Sequence, residues 1–559
     1  MGVINFSKTN CQSCYACVRT CPVKAIKIFK GQAEIIESKC IGCGECLHVC
    51  PKNAKKIQSD LDLIKTYIRN QEKIAVSIAP SYIGLFGHNS SKVVSLLKRL
   101  GFNYVEETVI GAEIVTNEYL RYKIEHPNLV CITSCCPSVN LLIEKYYPMN
   151  IKNLIPVISP MNCHGKILKE KYGAHTKVVF IGPCLSKKFE AMEADFIDVV
   201  LTFQELTDWI LDVGISLDEL EVMPLDGSNK TYRTYPLEGG ITHYTNQVKT
   251  LNVHGIEECI SVLKGINEGK FSDYLIEMSS CRHSCIGGSA MPEDSISAYE
   301  RKINLETYRN TIPSIKDDSL YEFKLHLEKQ FCDLSTPLNQ PDEMKLDKLL
   351  NSMGKYTLDD QLNCGYCGYK TCIDKAIAIY NGMAELNMCL PFLTHKAETI
   401  ANIIFDVTPN IVIIVDSHLN IVEFNPAAEK FFAFKKNEIL NLPISMILNP
   451  DPFERVLNCK TSLLGKKQLI NEKFTIIESI VWVEHHDVML CIINDVTESI
   501  KKEEWMKELK LNAVNMAQEV INKQMRVAQE IASLLGETTA ETKVTLTRLK
   551  ELIKKDGVE

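Results

Sequence analysis

Residues 133–137 read TSCCP, and this stretch decides how the central part of the chain is interpreted. Two other loops also carry cysteines: GPCLSKKFE at 182–190 and EMSSCRHSCIGG at 277–288. Four thiolates drawn from these three loops can hold one [4Fe–4S] cubane, and the candidates are Cys136, Cys184, Cys281 and Cys285. Spacing alone leaves the role of the adjacent Cys135 open, and a buried inert thiol is one reading of it.

The composition is that of a soluble globular protein, with 45% hydrophobic and 24% charged residues in 559. The net charge of −8 gives no basic surface, so nucleic acid is not expected as a partner. We find no apolar run long enough for a membrane span and no signal peptide, which predicts a cytoplasmic protein. The 23 cysteines then favour metal binding over disulfides.

The N-terminal segment carries the motif C-x2-C-x2-C-x3-C-P twice, at 11–22 and 40–51. In this motif three closely spaced thiolates and one from the other repeat hold each cubane. The spacing therefore predicts two [4Fe–4S] clusters, one held by Cys11, Cys14, Cys17 and Cys50, the other by Cys40, Cys43, Cys46 and Cys21. The segment resembles a bacterial two-cluster ferredoxin, and two adjacent clusters carry electrons.

Residues 70–330 alternate strand-like and helix-like stretches. The apolar runs at 75–80, 128–135 and 177–184 predict buried strands, and 91–102 predicts a helix that ends at a glycine. This alternation favours a layered α/β domain.

The three cysteine loops, together with SIAPS at 77–81, VLTFQEL at 200–206 and the glycines at 239–240, resemble the active-site domain of [FeFe]-hydrogenases. The resemblance implies that Cys136, Cys184, Cys281 and Cys285 bind a cubane of the H-cluster. It also implies that Cys285 bridges to a diiron centre carrying CO and cyanide, and that Lys187 hydrogen-bonds a cyanide. Cys135 matches the thiol that passes a proton to the cofactor. Neighbouring side chains in extended backbone point to opposite sides, so Cys136 is expected to face the cubane and Cys135 the diiron site.

The sequence departs from this family at several positions. Gly182 and Ser279 stand where the family has methionines, so the packing around the cofactor must differ. Tyr119 and Tyr122 stand at two carboxylate positions of the proton route, and Ile155 at a hydroxyl position. Tyrosine is a poorer proton relay at neutral pH than a carboxylate, so proton delivery is expected to be slow or rerouted.

A further cysteine patch resembles a small four-cysteine [4Fe–4S] domain, with zinc as the alternative; its candidate ligands are Cys364, Cys367, Cys372 and Cys389. Residues 396–497 resemble a PAS domain, a sensory module that commonly passes a signal into the following helix. Apolar residues from Val514 to Leu535 recur at three- and four-residue spacing, which predicts one long helix ended by Gly536. That helix either packs on its own domain, or it forms a homodimer or packs on a signal-output partner.

We therefore expect a multidomain α/β and α+β protein. Its predicted parts are a ferredoxin-like 2[4Fe–4S] domain at 1–58, an α/β [FeFe]-hydrogenase core at 70–330, a four-cysteine [4Fe–4S] domain at 343–395, a PAS domain at 396–497 and C-terminal helices at 498–559.

The resemblance implies reversible H2 cleavage, with protons and an electron carrier such as ferredoxin as partners, in an anaerobic cytoplasm. No kinase, cyclase or phosphatase motif follows the PAS segment, so a sensor would need a separate output protein. The leading hypothesis is a low-turnover sensor of hydrogen or redox state. The alternatives are a metabolic hydrogenase linked to ferredoxin, and a non-enzymatic iron–sulfur assembly factor or redox relay.

Overall fold

The computed structural model describes residues 3–6, 10–292, 296–314, 325–470, 474–535 and 540–555. The chain forms two compact units, Met1–Leu393 and Thr394–Glu559. Among the helices described, none combines the length and the apolar character that crossing a membrane requires.

The N-terminal part of the first unit is built from two small antiparallel strand pairs. Its elements are β1 (Ile4–Phe6), α1 (Ala16–Thr20), β2 (Ile26–Phe29), β3 (Gln32–Ile35), α2 (Glu45–His48) and β4 (Lys55–Ile57). β1 pairs with β4, and β2 pairs with β3. Gly44 precedes α2 with φ of 82°, and a Cβ there would lie 2.6 Å from the side chain of Ser289. A glycine is therefore needed where this segment contacts the loop that carries Cys281 and Cys285.

The central α/β part contains two parallel sheets. The first has the strand order β6-β5-β8-β9 and the second β10-β11-β7. The strands are β5 (Ile74–Ile78), β6 (Tyr104–Glu107), β7 (Cys131–Ile132), β8 (Lys177–Gly182), β9 (Val199–Thr202), β10 (Thr250–His254) and β11 (Leu275–Ser279). Every residue of β5 is buried, as expected for a parallel strand covered on both faces.

Helices surround these sheets. They are α3 (Leu61–Arg69), α4 (Tyr82–Phe86), α5 (Val93–Leu100), α6 (Val109–Glu125), α7 (Pro137–Tyr146), α8 (Pro160–Tyr172), α9 (Ser186–Ala191), α10 (Phe203–Val213), α11 (Ile256–Asn267) and α12 (Ala298–Tyr308). The predicted helix at 91–102 is confirmed as α5, which ends at Gly101 with φ of 110°. Its first predicted residues belong instead to a 3-10 turn over Gly87–Lys92.

Two of the three predicted strands of this part are confirmed, and the third is much shorter than predicted. Only Cys131–Ile132 of the 128–135 run forms a strand. The chain then leaves the sheet because Pro137 starts α7, and the Asn140 side chain donates to the carbonyl of Ser134 at 2.8 Å. The N–H of Thr133 still donates to the Ile276 carbonyl of β11 at 3.0 Å, whereas the residues from Ser134 to Cys136 lie in a loop outside the sheet.

The remaining helices of the first unit surround the third cysteine patch. They are α13 (Glu343–Ser352) and α14 (Cys372–Tyr380), while α15 (Leu390–Val407) begins at the end of this unit and continues into the second unit. α14 begins at a capping box between Thr371 and Asp374.

The second unit contains an antiparallel sheet of order β13-β12-β16-β15-β14. Its elements are β12 (Ile411–Asp416), β13 (Ile421–Phe424), α16 (Pro426–Phe432), α17 (Lys436–Ile439), α18 (Asp451–Cys459), β14 (Leu463–Ile470), β15 (Phe474–Val483) and β16 (Val488–Asp495). Burial alternates along β12, so one face of the sheet packs on the core. The predicted long helix is confirmed as α19 (Thr497–Leu535), which α20 (Ala540–Lys555) contacts. The predicted stop at Gly536 lies outside the described residues.

Candidate functional site

The cavity that holds the three cysteine loops, named the main cavity here, lies where strands of the two parallel sheets of the first unit end. Residues just beyond β5, β8 and β11 line it, together with the loop that follows β7. Carboxyl ends of parallel strands gather at one edge of a sheet, where backbone turns away and side chains from distant segments converge. The cavity holds about 100 Å³.

All the cysteines that sequence analysis assigned to this region line that cavity. The structure brings together Cys135, Cys136, Cys184, Cys281 and Cys285. Both members of the TSCCP pair face it, and the Cys136 thiol lies 3.6 Å from the hydroxyl of Ser280. Burial raises the pKa of the Cys135 thiol, so without a proton acceptor it stays protonated at neutral pH.

Lys187 also lines the cavity, from the first turn of α9. Its Nζ donates to Oε2 of Glu190 at 2.6 Å and to the carbonyl of Cys135 at 3.2 Å. Burial lowers the pKa of Lys187, but the carboxylate of Glu190 and nearby thiols outweigh it and raise the pKa. The ammonium is thus charged and fixed beside the TSCCP loop.

Three polar residues at the cavity were missed by sequence analysis. The hydroxyls of Ser81 and Tyr235 are buried and have no hydrogen-bond partner within the part of the chain that the structure describes. Glu277 is the one carboxylate among the described lining residues. Ser81 lies inside the quoted SIAPS motif and Glu277 opens the quoted stretch at 277–288, so both offered a signal, whereas nothing near Tyr235 marked it.

The two positions that depart from methionine have specific neighbours. A Cβ at Gly182 would lie 2.7 Å from the Phe180 ring, which itself lines the cavity, so a larger side chain is excluded there. Ser279 lines the cavity and its Oγ lies 2.9 Å from Nδ1 of His254. An aromatic ring and a hydroxyl therefore occupy the space beside the thiols.

The residues at the family's proton-route positions do not form a path to the surface. The Tyr119 hydroxyl is fully buried and lies 3.3 Å from Oγ of Ser134, which donates to the carbonyl of Val157. Tyr122 stacks on His126, and Ile155 packs in the core. A backbone carbonyl cannot pass a proton on, so this chain of contacts ends inside the protein.

Each of the other predicted cysteine sets lines a small cavity of its own. One is lined by Cys11, Cys14, Cys17 and Cys50, a second by Cys21, Cys40, Cys43 and Cys46, and a third by Cys364, Cys367, Cys372 and Cys389. Each N-terminal repeat thus contributes one cysteine to the other's set. Within the described residues, no three His, Cys, Asp or Glu side chains are grouped as a single metal ion would need.

These sets are connected by shared packing within the first unit. Cys43 and Cys136 pack against one apolar core, so the second ferredoxin-like set and the main cavity share that core. Cys367 shares another core with Cys17 and Cys21. A Cβ at Gly368 would lie 2.9 Å from the Val18 side chain, so the third patch approaches the ferredoxin-like segment closely.

Comparison with known proteins assigns families to four segments. Residues 72–250 and 241–289 match the iron only hydrogenase large subunit, C-terminal domain. Residues 10–54 match a 4Fe-4S dicluster domain, 360–391 an Fe-S cluster family, and 409–498 a PAS domain.

The chain is also similar to curated hydrogenases and aligns with a solved structure. Iron hydrogenase 1 of Clostridium pasteurianum is 27% identical over 48% of this chain and 58% of its own length. The NADP-reducing hydrogenase subunit HndD of Solidesulfovibrio fructosivorans is 24% identical over 52% of this chain and 57% of its own. A variant of the [FeFe]-hydrogenase HydA1 from Chlamydomonas reinhardtii aligns at 17% identity and a TM-score of 0.40, covering 50% of this chain and 100% of that chain.

The chain spans a little over half the length of the curated relatives it matches. The family matches cover the cavity, the N-terminal cysteine repeats, the third cysteine patch and the second unit's sheet. Residues 72–289 are therefore similar to the iron only hydrogenase large subunit, C-terminal domain, in a chain that also matches a 4Fe-4S dicluster domain, an Fe-S cluster family and a PAS domain.

Proposed function

We propose that this chain is an [FeFe]-hydrogenase that reversibly cleaves H2 at an H-cluster in the main cavity, and that it works at low turnover as a sensor of hydrogen or redox state. The observation that carries the proposal is the convergence of four thiols, the Cys135 thiol and the Lys187 ammonium on one cavity. Soft thiolates suit iron–sulfur clusters, and a buried ammonium suits an anionic acceptor.

The residues at the cavity fit such a cofactor. Cys136, Cys184, Cys281 and Cys285 would hold the cubane, with Cys285 as the bridging thiolate. The unpartnered hydroxyls of Ser81 and Tyr235 supply donors that a buried acceptor would satisfy. When bound, the H-cluster supplies the iron chemistry that separates H2 into protons and electrons.

The chain's own residues orient the cofactor and move the proton. Glu190 holds the Lys187 ammonium in place, where it would be available as a donor to an anionic group of the cofactor such as a cyanide. The Cys135 thiol, in the residue whose carbonyl accepts from that ammonium, would hold a proton at Sγ and act as the proton donor and acceptor at the cavity. Phe180 and the other apolar lining residues keep bulk water from the site.

Electrons would leave through the cysteine sets that pack against one another. The set containing Cys43 shares an apolar core with Cys136 of the cavity, and the remaining sets meet around Cys17 and Cys367. We propose a [4Fe–4S] cluster in each of these three sets and a carrier such as ferredoxin as the external electron partner.

The sensory role rests on the PAS domain, the long α19 helix and the interrupted proton route. We infer that reduction of the cluster at 364–389 biases the PAS domain, that α19 forms a homodimer, and that a separate protein receives the signal. The retained Cys135 and Lys187 favour a metabolic, ferredoxin-linked hydrogenase as the second candidate. The same two residues argue against an iron–sulfur assembly factor that lacks the diiron site.

Infrared spectroscopy of the chain, expressed anaerobically and loaded with the diiron cofactor, tests the proposal. CO and cyanide bands that shift between argon and hydrogen are the expected result. A turnover assay on the same sample separates the two candidates. A sensor should turn over slowly, whereas a metabolic enzyme should reach the turnover rate of metabolic hydrogenases. If the cubanes are intact but such bands are missing, the proposal fails, and the chain would then be an iron–sulfur redox relay without hydrogenase activity.

A further inference from the structure

We propose that a row of buried side chains carries protons between the main cavity and the protein surface, replacing the route that ends at Val157. The row consists of Thr108, Ser77, His164, Glu106 and Lys171. The inference rests on the proposed function, because the row begins at the cavity where that function would release protons.

The inner half of the row starts at Thr108, which lines the cavity and precedes α6. Its Oγ1 lies 2.8 Å from Oγ of Ser77, on β5. The Ser77 hydroxyl in turn lies 2.8 Å from Nδ1 of His164, on α8. Both distances are normal for hydrogen bonds, so three groups that can both accept and donate protons stand in line.

The outer half runs from His164 to solvent. Nε2 of His164 lies 3.2 Å from Oε2 of Glu106, and Oε1 of Glu106 accepts from Nζ of Lys171 at 2.8 Å. The Lys171 side chain is 19% exposed, whereas the side chains of His164 and Glu106 are fully buried. The row therefore has one end at the cavity and the other at the surface.

Burying this row of polar side chains costs free energy that apolar side chains at the same positions would not cost. Burying uncharged hydroxyls, an imidazole and a carboxylate is unfavourable unless each is hydrogen-bonded. Gly227 lies over Glu106, and a Cβ there would sit 2.7 Å from its carboxylate. Burial raises the pKa of Glu106, but the hydrogen bonds and charges of His164 and Lys171 outweigh it and lower the pKa to about 2.

The transfer conserves protons at every step. A proton arriving at Thr108 Oγ1 displaces the hydroxyl proton to Ser77, and Ser77 passes its own to Nδ1 of His164. His164 then releases its Nε2 proton to Glu106, whose carboxylate stabilises the intervening imidazolium. Glu106 hands a proton to Lys171 after Lys171 has lost one to solvent. Because an ammonium releases protons slowly at neutral pH, this exit fits low turnover.

The test compares the cofactor-loaded full chain with Ser77→Ala, Ser77→Thr and Tyr119→Phe. Infrared spectroscopy follows the CO and cyanide bands after hydrogen is admitted, in H2O and in D2O. For Ser77→Ala we expect unchanged band positions at equilibrium, but band conversion and turnover slowed about 10- to 100-fold. Ser77→Thr keeps a hydroxyl and should recover most of the rate, which a purely structural role of Ser77 does not predict.

Thr116→Val serves as the matched control, because it removes a buried hydroxyl whose partner among the described residues is the Ala112 carbonyl within α6. It should leave the conversion rate unchanged. A normal rate in Ser77→Ala, or a slow rate in Tyr119→Phe alone, overturns the relay while the proposed function stands. Shifted equilibrium bands in Ser77→Ala would mean a structural role and also overturn it. If the unaltered chain has cubanes but no CO or cyanide bands, the proposed function fails and this inference fails with it.

Discussion

Nζ of Lys187 donates to Oε2 of Glu190 at 2.6 Å, and this pair is almost completely removed from solvent at the edge of the main cavity. Both residues lie in α9, directly after the loop that carries Cys184. The contact fixes an ammonium beside the TSCCP loop, where a free lysine side chain would sample many rotamers. The carboxylate therefore acts on the cavity through the lysine.

We predict that the double variant Lys187→Met/Glu190→Gln keeps its iron–sulfur cubanes but does not retain the diiron cofactor. The double change avoids leaving one buried charge unpaired, which costs about 3–5 kcal/mol. Iron analysis and infrared spectra check the two parts separately. Lys169→Met is the control, since its ammonium pairs with Asp198 and does not line the cavity. CO and cyanide bands of normal intensity in the double variant would contradict the role of Lys187.

The two cysteines of TSCCP should respond differently to substitution. Cys135→Ala removes the thiol proposed to carry a proton, so turnover should fall about 10²- to 10⁴-fold while iron content stays normal. Cys136→Ala removes a proposed cubane ligand, so the protein should lose that cluster's iron. Iron content and turnover measured on both variants decide this. Equal iron loss in the two variants would mean that Cys135 is not distinct from the ligands.

The grouping of the cysteines could be predicted from the sequence because the ligand spacing of an iron–sulfur cluster is local and strict, and their role as cluster ligands stays a prediction. All sixteen proposed ligands line four cavities in the groups expected from their spacing or from the family resemblance. Buried strands such as β5 could also be predicted, since a parallel strand covered on both faces is apolar along its whole length. The strand before TSCCP was overestimated because its apolar residues continue into a loop that α7 and Asn140 hold away from the sheet.

Contacts between distant segments were beyond sequence reasoning. Ser77, His164 and Glu106 lie on three different elements, and no motif links a serine in β5 to a histidine in α8. The packing of Phe180 over Gly182 depends on the local course of β8. Such polar and steric pairs follow only from the register of the sheet and the helices packed on it.

The cysteine set at 364–389 should be removable without loss of the others. Cys367→Ser is expected to abolish one cluster signal in electron paramagnetic resonance, leave the CO and cyanide bands intact and abolish signalling to the output partner. Cys367 packs beside Cys17 and Cys21, so the remaining clusters should shift slightly in potential. Cys332→Ser changes an exposed cysteine outside every set and should alter nothing. If the Cys367→Ser variant loses zinc while its iron content is unchanged, that result would support the zinc alternative for this site.

Glu277 makes the stability of the first unit depend on pH. Burial raises its pKa to about 7, although backbone N–H groups of Thr242 and Ile241 donate to its carboxylate and oppose the shift. The folded state therefore binds this proton more tightly than the unfolded state, whose pKa is near 4.5. Stability must fall as pH rises from about 4.5 to 7, and the full penalty remains above that range.

Glu277→Gln carries no charge and should escape this penalty. Between pH 6 and pH 8 the unaltered chain should lose about 1 kcal/mol more unfolding free energy than the variant. Urea unfolding of the anaerobic, cluster-loaded protein at the two pH values measures the difference. Glu257→Gln on the exposed face of α11 is the control and should follow the unaltered chain. A Glu277→Gln variant that loses as much stability as the unaltered chain would show that Glu277 is already ionised at pH 6, with its charge satisfied by the backbone donors.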